Sequence, residues 1–226
     1  MEVHAPEHPI HTWREFFIHM GTICLGLLIA IGLEQTVEAI HHHNELRELR
    51  DSLHQDGEKT LTDCDRINAF IRSTNTRSAA QAAAARDAFA HHQPLIVAPY
   101  QDATDWDLPT DPTWQAAKAS GLIALVPQNE IKVASEIDMV TDYFANSFPA
   151  YVTAASKVSR FETRFRLQTR STALPPEELQ TYLDLLQDKT NILNYMAIWN
   201  QQLHNATAAA LSGETNLSKI QDAERQ

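Results

Sequence analysis

The chain has 226 residues, with 18 Lys and Arg against 29 Asp and Glu and a formal net charge of −11. That balance repels the phosphates of nucleic acid and of anionic lipid headgroups, so a nucleic-acid partner is not expected. The two cysteines are Cys24 and Cys64. Cys24 lies inside an apolar run and Cys64 well beyond it, so no intramolecular disulfide is expected.

Residues 1–15 form a polar tail. An apolar run over 16–33 follows, with His19 its one serious interruption. Ten of its side chains are Phe, Ile or Leu, and a helix rising about 1.5 Å per residue carries it across nearly all of a hydrocarbon core roughly 30 Å thick. Trp13 stands where an interfacial aromatic would. A cleaved signal peptide is a weaker reading, because Arg14 is the sole base against Glu2, Glu7 and Glu15 and no basic n-region forms. A buried helix of a soluble protein is the third alternative. The run thus reads as one transmembrane anchor. Arg14 adjoins it on the N-side, whereas the first bases after it are Arg47 and Arg50. The bias in Lys and Arg predicts a cytoplasmic N-terminus and a periplasmic domain at the inner membrane of a bacterium, or a domain outside the cell.

Thr22, Gly26 and Ala30 recur at i, i+4 and i+8, with His19 at the head of the same face. Small side chains let helix backbones approach closely where lipid removes the hydrophobic driving force, and a polar His prefers to face protein. His19, Thr22, Gly26 and Ala30 are the expected helix–helix interface. The alternative is that Gly and Ala are simply common in membrane helices and that His19 reaches the headgroups.

From Glu34 onward a near-3.6 apolar spacing runs through Val37, Ile40, Leu46, Leu49, Leu53, Leu61, Cys64, Ile67 and Ile71. It predicts a stalk helix broken around Gly57, with a turn or weak point at Thr74-Asn75-Thr76. The segment 93–111, with Pro94, Pro99 and Pro109, predicts a long loop packed on the bundle through Leu95, Ile96, Val97, Tyr100 and Trp106. Pro112 opens a short helix that Gly121 stops. Pro127 opens the next, Pro149 a further one, and Pro175-Pro176 a long last helix that Gly213 ends. The polar tail 213–226 is expected to fray. The fold class is all-α, a single N-terminal transmembrane helix continuing into a stalk and an antiparallel helical bundle over 34–212.

Several chemistries are weighed against structural readings. Glu38 with His41, and Asp51 with His54, give the carboxylate-x-x-His spacing of di-iron bundles, but both lie on one helix, whereas such a site needs facing helices. Asp102, Asp105, Asp107 and Asp111 lack the spacing, glycine and closing Glu of a calcium loop. Lys157, Arg160, Arg164, Arg166 and Arg170 are expected to pair with Glu177, Glu178, Asp184 and Asp188 rather than to hold an anion. No nucleophile elbow, phosphate loop or Cys-x-x-Cys pair occurs. No enzyme activity and no cofactor are expected. Trp114 reads first as the core anchor of its short helix. Its other reading is a partner-facing loop surface with Tyr100 and Trp106.

The anchor Gly26-Leu27-Leu28-Ile29-Ala30-Ile31-Gly32-Leu33-Glu34-Gln35, the acidic stalk, and the segment Trp114-x-x-x-Lys118-x-Ser120-Gly121-x-x-x-Leu125 resemble an uncharacterised family of bacterial single-pass membrane proteins. The resemblance implies a membrane-anchored helical domain and supplies no catalytic residues. The expected function is a non-enzymatic interaction protein, with membrane lipid and either itself or other membrane subunits as partners. A ligand-binding or sensory bundle acting through a partner is the alternative.

Overall fold

The computed structural model describes residues 13–97, 106–167 and 174–224. The described residues are helical and carry no paired sheet: α1 (Trp13–Ala90), α2 (Pro112–Ser120), a 3-10 turn at Leu122–Leu125, α3 (Gln128–Arg164), α4 (Pro176–Leu211) and α5 (Leu217–Glu224). The chain divides into two compact units, Met1–Glu48 and Leu49–Gln226.

In the first unit, the apolar stretch that begins at Phe16 is long and apolar enough to cross a membrane, and none of it is buried. Thr22 Oγ1 donates to the Ile18 carbonyl at 2.9 Å and Thr36 Oγ1 to the Gly32 carbonyl at 2.7 Å, so these hydroxyls satisfy themselves within the helix.

The second unit is a bundle of α1, α3 and α4. Its core residues on α1 are Thr60, Cys64, Ile67, Ile71, Thr74, Ser78, Gln81 and Ala85, all buried and spaced alternately by four and three. On α4 the same alternation runs Leu179, Tyr182, Leu186, Lys189, Leu193, Met196, Asn200, Leu203 and Thr207. A strict heptad of this kind keeps one seam facing its partner helices and imposes a left-handed supercoil.

The clusters give the direction of each helix. Cys64 packs with Val140 and Leu203. Ile67 and Ile71 pack with Phe144, Tyr151, Leu193 and Met196. Ala85 packs with Val158, Phe161, Tyr182 and Leu179. As α1 advances, α3 advances and α4 recedes. The bundle is therefore antiparallel across α4, while α1 and α3 run in the same sense. The segment between α1 and α3 has to carry the chain back along the bundle, which is why it is long.

Parts of that return segment belong to the core. Leu95 and Val97 are buried with Leu167, and Val97 N donates to the Leu167 carbonyl at 3.0 Å. Trp106 is buried among Phe70, Phe144 and Phe148, with ring centroids 5.5, 6.4 and 5.4 Å away. Ile96, expected to pack, is exposed.

Four local expectations are corrected. Gly57 does not break α1; a Cβ there would lie 3.0 Å from Leu211 Cδ2, so its missing side chain lets α4 come close. Thr74-Asn75-Thr76 is no turn, because Thr74 takes a core position and Asn75 Nδ2 donates to Asn194 Oδ1 at 3.1 Å. Pro149 lies inside α3 rather than opening a new helix. It removes one backbone donor, but Phe144, Phe148 and Tyr151 pack in one aromatic cluster on both sides of it and hold the helix together. Within the tail, Leu217–Glu224 does not fray but forms α5: Asn216 Oδ1 accepts from Ser218 N at 3.0 Å, and Ile220 is fully buried against Val133 and Ala206.

Candidate functional site

Two features of the second unit stand out. One is a cavity, the other an exposed aromatic surface.

The cavity, about 370 Å³ and open to solvent on one side, lies at the α5 end of the bundle. Leu53 of α1, Val133 and Ile137 of α3, Leu211 of α4 and Trp114 of α2 supply its apolar wall. Helix α2 is held in place from two sides. Asp56 Oδ2 accepts the backbone N–H of Thr113 at 3.1 Å, satisfying one of the orphan donors at the start of α2. Gln115 Nε2 and Lys118 Nζ donate to the two carboxylate oxygens of Asp138, each at 2.7 Å. Trp114 is thereby seated against Leu49 and Ala117, with Leu122, Ile123 and Ile131 around it.

The rim is charged. Arg50 donates twice to Glu130, Nε to Oε2 at 3.0 Å and Nη2 to Oε1 at 2.8 Å. Asp111 lies beside Asp138 and accepts from Gln115 Nε2. Burial and then the hydrogen bond with Asp138 push the Asp111 carboxyl up to about 6. Burial pushes Asp138 the same way, but the hydrogen bonds from Lys118 and Asp111 outweigh it and hold Asp138 below the ordinary carboxylate range. The two carboxyls of this pair are thus pushed in opposite directions, Asp111 up and Asp138 down. Trp114 and Thr207, both lining the cavity and both almost wholly buried, carry an indole Nε1 and a hydroxyl Oγ1 that no group among the described residues satisfies.

The aromatic surface is formed by α3 and α4. Tyr143 and Trp199 lie with ring centroids 4.8 Å apart. Met139 is one turn before Tyr143, and Tyr195 one turn before Trp199, with Ile198 beside it. Tyr195 is 64% exposed and Ile198 52%, with Met139 and Tyr143 also exposed. Trp199 is half-buried against the core beside Tyr143, and the Tyr, Met and Ile side chains exposed next to it give this face the composition of an interface core.

The residues expected to carry function fall as follows. His19, Thr22, Gly26 and Ala30 share one exposed helical face, and a Cβ on Gly26 would meet nothing within 4 Å. Tyr100 lies outside the described residues. Trp106 and Trp114 do not form a partner-facing surface: both are buried, Trp106 in the central aromatic cluster and Trp114 in the wall of the cavity. The burial of large rings outweighs the polarity of the loop that carries them. The α3–α4 surface was not foreseen, although Tyr195 and Ile198 fall between the core positions Leu193, Met196 and Asn200, where an apolar residue has no place in the seam.

Three of the histidines and one residue of the basic run have local partners. His41 faces Glu45 at 3.2 Å, His42 faces Glu38 at 3.9 Å and His54 faces Glu58 at 3.5 Å, each one helical turn away. Among the described residues no three His, Cys, Asp or Glu side chains converge as a metal site would require. Arg164 meets Glu178 at 3.4 Å, joining the basic end of α3 to the acidic start of α4. Buried Glu162 accepts from Tyr182 Oη at 2.8 Å and Gln81 Nε2 at 3.2 Å, and burial followed by the Glu162 charge pushes the Tyr182 phenol above its ordinary range.

No family model, curated protein or solved structure matches this chain.

Proposed function

We propose that this protein is a non-enzymatic, single-pass membrane protein whose helical bundle works by associating with another protein, either a second copy or a subunit of a membrane complex. The exposed α3–α4 surface of Met139, Tyr143, Tyr195 and Ile198 beside the half-buried Trp199 carries the reading, because a monomeric soluble face has no reason to concentrate these side chains. The apolar stretch over 16–33 supports the anchor, with the small face of Thr22, Gly26 and Ala30 as a second contact inside the bilayer. Arg14 before the stretch, with the next bases only at Arg47 and Arg50, supports a cytoplasmic N-terminus and a periplasmic bundle at a bacterial inner membrane.

The experiment is extraction of the full chain from its membrane in mild detergent, with mass determination and identification of chains that accompany it. The proposal expects an assembly that survives purification and that Tyr195→Asp or Ile198→Asp dissociates. A single chain at every concentration would overturn it. The cavity favours a second reading, a ligand-binding bundle acting through the same partner.

A further inference from the structure

We propose that the first unit pairs with a second copy of itself as a parallel, in-register coiled coil, along a seam that runs from the bilayer out to Asn44. The inference rests on the association reading and names the partner.

The seam is a heptad. Ile23, Gly26, Ala30, Leu33, Val37 and Ile40 follow one another at alternating steps of three and four, and Asn44 takes the next place. That spacing keeps one stripe against a partner helix and winds the pair left-handed. Thr22, at a uniform step of four from Gly26, is not part of it and already donates its hydroxyl to the Ile18 carbonyl.

The stripe outlasts the membrane. Headgroups add roughly 5–8 Å to each side of the hydrocarbon core. Ile40 lies seven positions past Leu33, about 10 Å further along the helix, and so stands beyond them in water. Val37 is 67% exposed and Ile40 59%. Lipid covers a side chain at the depth of Leu33 but not one at Ile40. Nor does the bundle's own seam overrun into this stretch. Carried back by sevens, the register of Leu49 falls on His42 and Gln35, and that of Leu53 on Leu46 and Ala39.

A second copy fits this stripe better than a different protein. Copies of one chain enter the bilayer in the same sense, so their helices run parallel with identical positions at equal depth. Asn44 then meets Asn44 of the second copy inside the pair, where each amide supplies a donor and an acceptor to the other. Slippage by one heptad would set it against Val37, and an Asn at such a place is a device that fixes register and favours two strands. The charges are self-complementary as well. Arg47, the next seam place, would face its own copy, but the flanking Glu48 of the second copy stands beside it and offsets the repulsion; both residues are exposed.

The test is oxidative cross-linking of the full chain in its own membrane, with copper phenanthroline as oxidant, followed by mass identification of the product. Single cysteines are placed in a Cys24→Ala background that keeps Cys64, which is fully buried. Leu33→Cys, Val37→Cys, Ile40→Cys and Asn44→Cys are expected to form a disulfide between two copies at least roughly fivefold faster than Gln35→Cys, Glu38→Cys and His42→Cys, because only seam positions come within disulfide reach. Ile40→Asp added to Val37→Cys should remove that product without changing the melting temperature. Uniform cross-linking, or a maximum at Gln35→Cys and His42→Cys, in protein whose extracted mass is two chains would overturn the coil and leave association through the bundle standing. Seam products that contain a different protein would overturn the second copy as partner. A single chain by mass, with no product at any position, would overturn the coil and the association reading together.

Discussion

Arg50 and Glu130, eighty positions apart in sequence, meet in a two-point contact of 2.8 and 3.0 Å that ties α1 to α3 beside the cavity mouth. The hydrogen bonds that Arg50 donates to Glu130, and the Glu130 charge, raise the guanidinium further above its ordinary value despite partial burial. The planar fork of Arg fits a carboxylate in a way that the ammonium of Lys does not. Both side chains are partly solvated, 49% and 29% exposed, so the pair is worth little more than a surface bridge. Arg50→Lys and Arg50→Met are each expected to lower stability by about 0.5–1 kcal/mol, with most of the effect gone in high salt. Chemical denaturation at low and high ionic strength checks this.

Trp106 should be the costliest single truncation in the return segment. Its ring meets Phe70, Phe144 and Phe148, three rings from two helices, and nothing nearby is free to collapse into the space. Trp106→Ala is expected to cost about 3–5 kcal/mol. Tyr195→Ala, on the exposed face, should cost no more than about 0.5 kcal/mol while weakening association. The two variants separate folding from binding when melting curves and mass are measured on the same samples.

The fold class and most helix limits were legible in the sequence because their signals are local. Pro112 and Gly121 bracket α2, Pro176 and Gly213 bracket α4, and both glycines adopt the left-handed conformation that ends a helix. The seam was harder to read. Tyr182, Leu186, Leu193, Met196 and Leu203 announce themselves by hydropathy, whereas Lys189, Asn200 and Thr207 occupy the same heptad positions unseen. Thr74, Ser78 and Gln81 did the same on α1, which is why a polar stretch looked like a turn. Continuing the alternation of three and four through the polar residues would have found them. The cavity was not legible at all. Its wall joins α1, α2, α3, α4 and the start of the tail, and its opening depends on how closely Gly57 lets Leu211 approach.

Gly57 makes that close approach testable. The nearest atom to a new Cβ is the tip of the flexible Leu211 side chain, which can yield by a few tenths of an ångström. Gly57→Ala therefore gains helix propensity, about 0.8–1.0 kcal/mol in an unhindered helix, and gives part of it back to the displaced leucine. A small net stabilisation is expected. Gly57→Val adds branched bulk against the same side chain and is expected to destabilise. Thermal melts of both variants read the sign directly.

Asp111 predicts a specific pH dependence. Its folded value, about 6, lies above the 3.8 of an ordinary aspartate, so folding favours its protonated form. The ionised group therefore opposes folding, and its penalty grows as pH rises from about 4 through 6. Asp138, held low by its hydrogen bonds from Lys118 and Asp111, acts in the opposite sense and contributes stability that is lost in acid. Asp111→Asn should thus be more stable than the natural chain at pH 7.5 and indistinguishable from it below pH 3.8. Melting temperatures at the two ends of that range provide the check.

Cys64 is fully buried, and burial pushes its thiol up to about 12. It should resist a maleimide in the folded chain and react on unfolding, since the thiolate is the reactive form. Mass spectrometry of labelled native and denatured protein gives the answer.

Association through the bundle is the central claim, and mass is its most direct measure. One chain is 25.4 kDa. Native mass measurement of the full chain, taken from its own membrane into nanodiscs, is expected to give a multiple of that mass or the mass with further chains attached. Ile198→Asp is expected to return it to one chain without lowering the melting temperature. A mass of one chain at every concentration, unchanged by Ile198→Asp, would contradict the account.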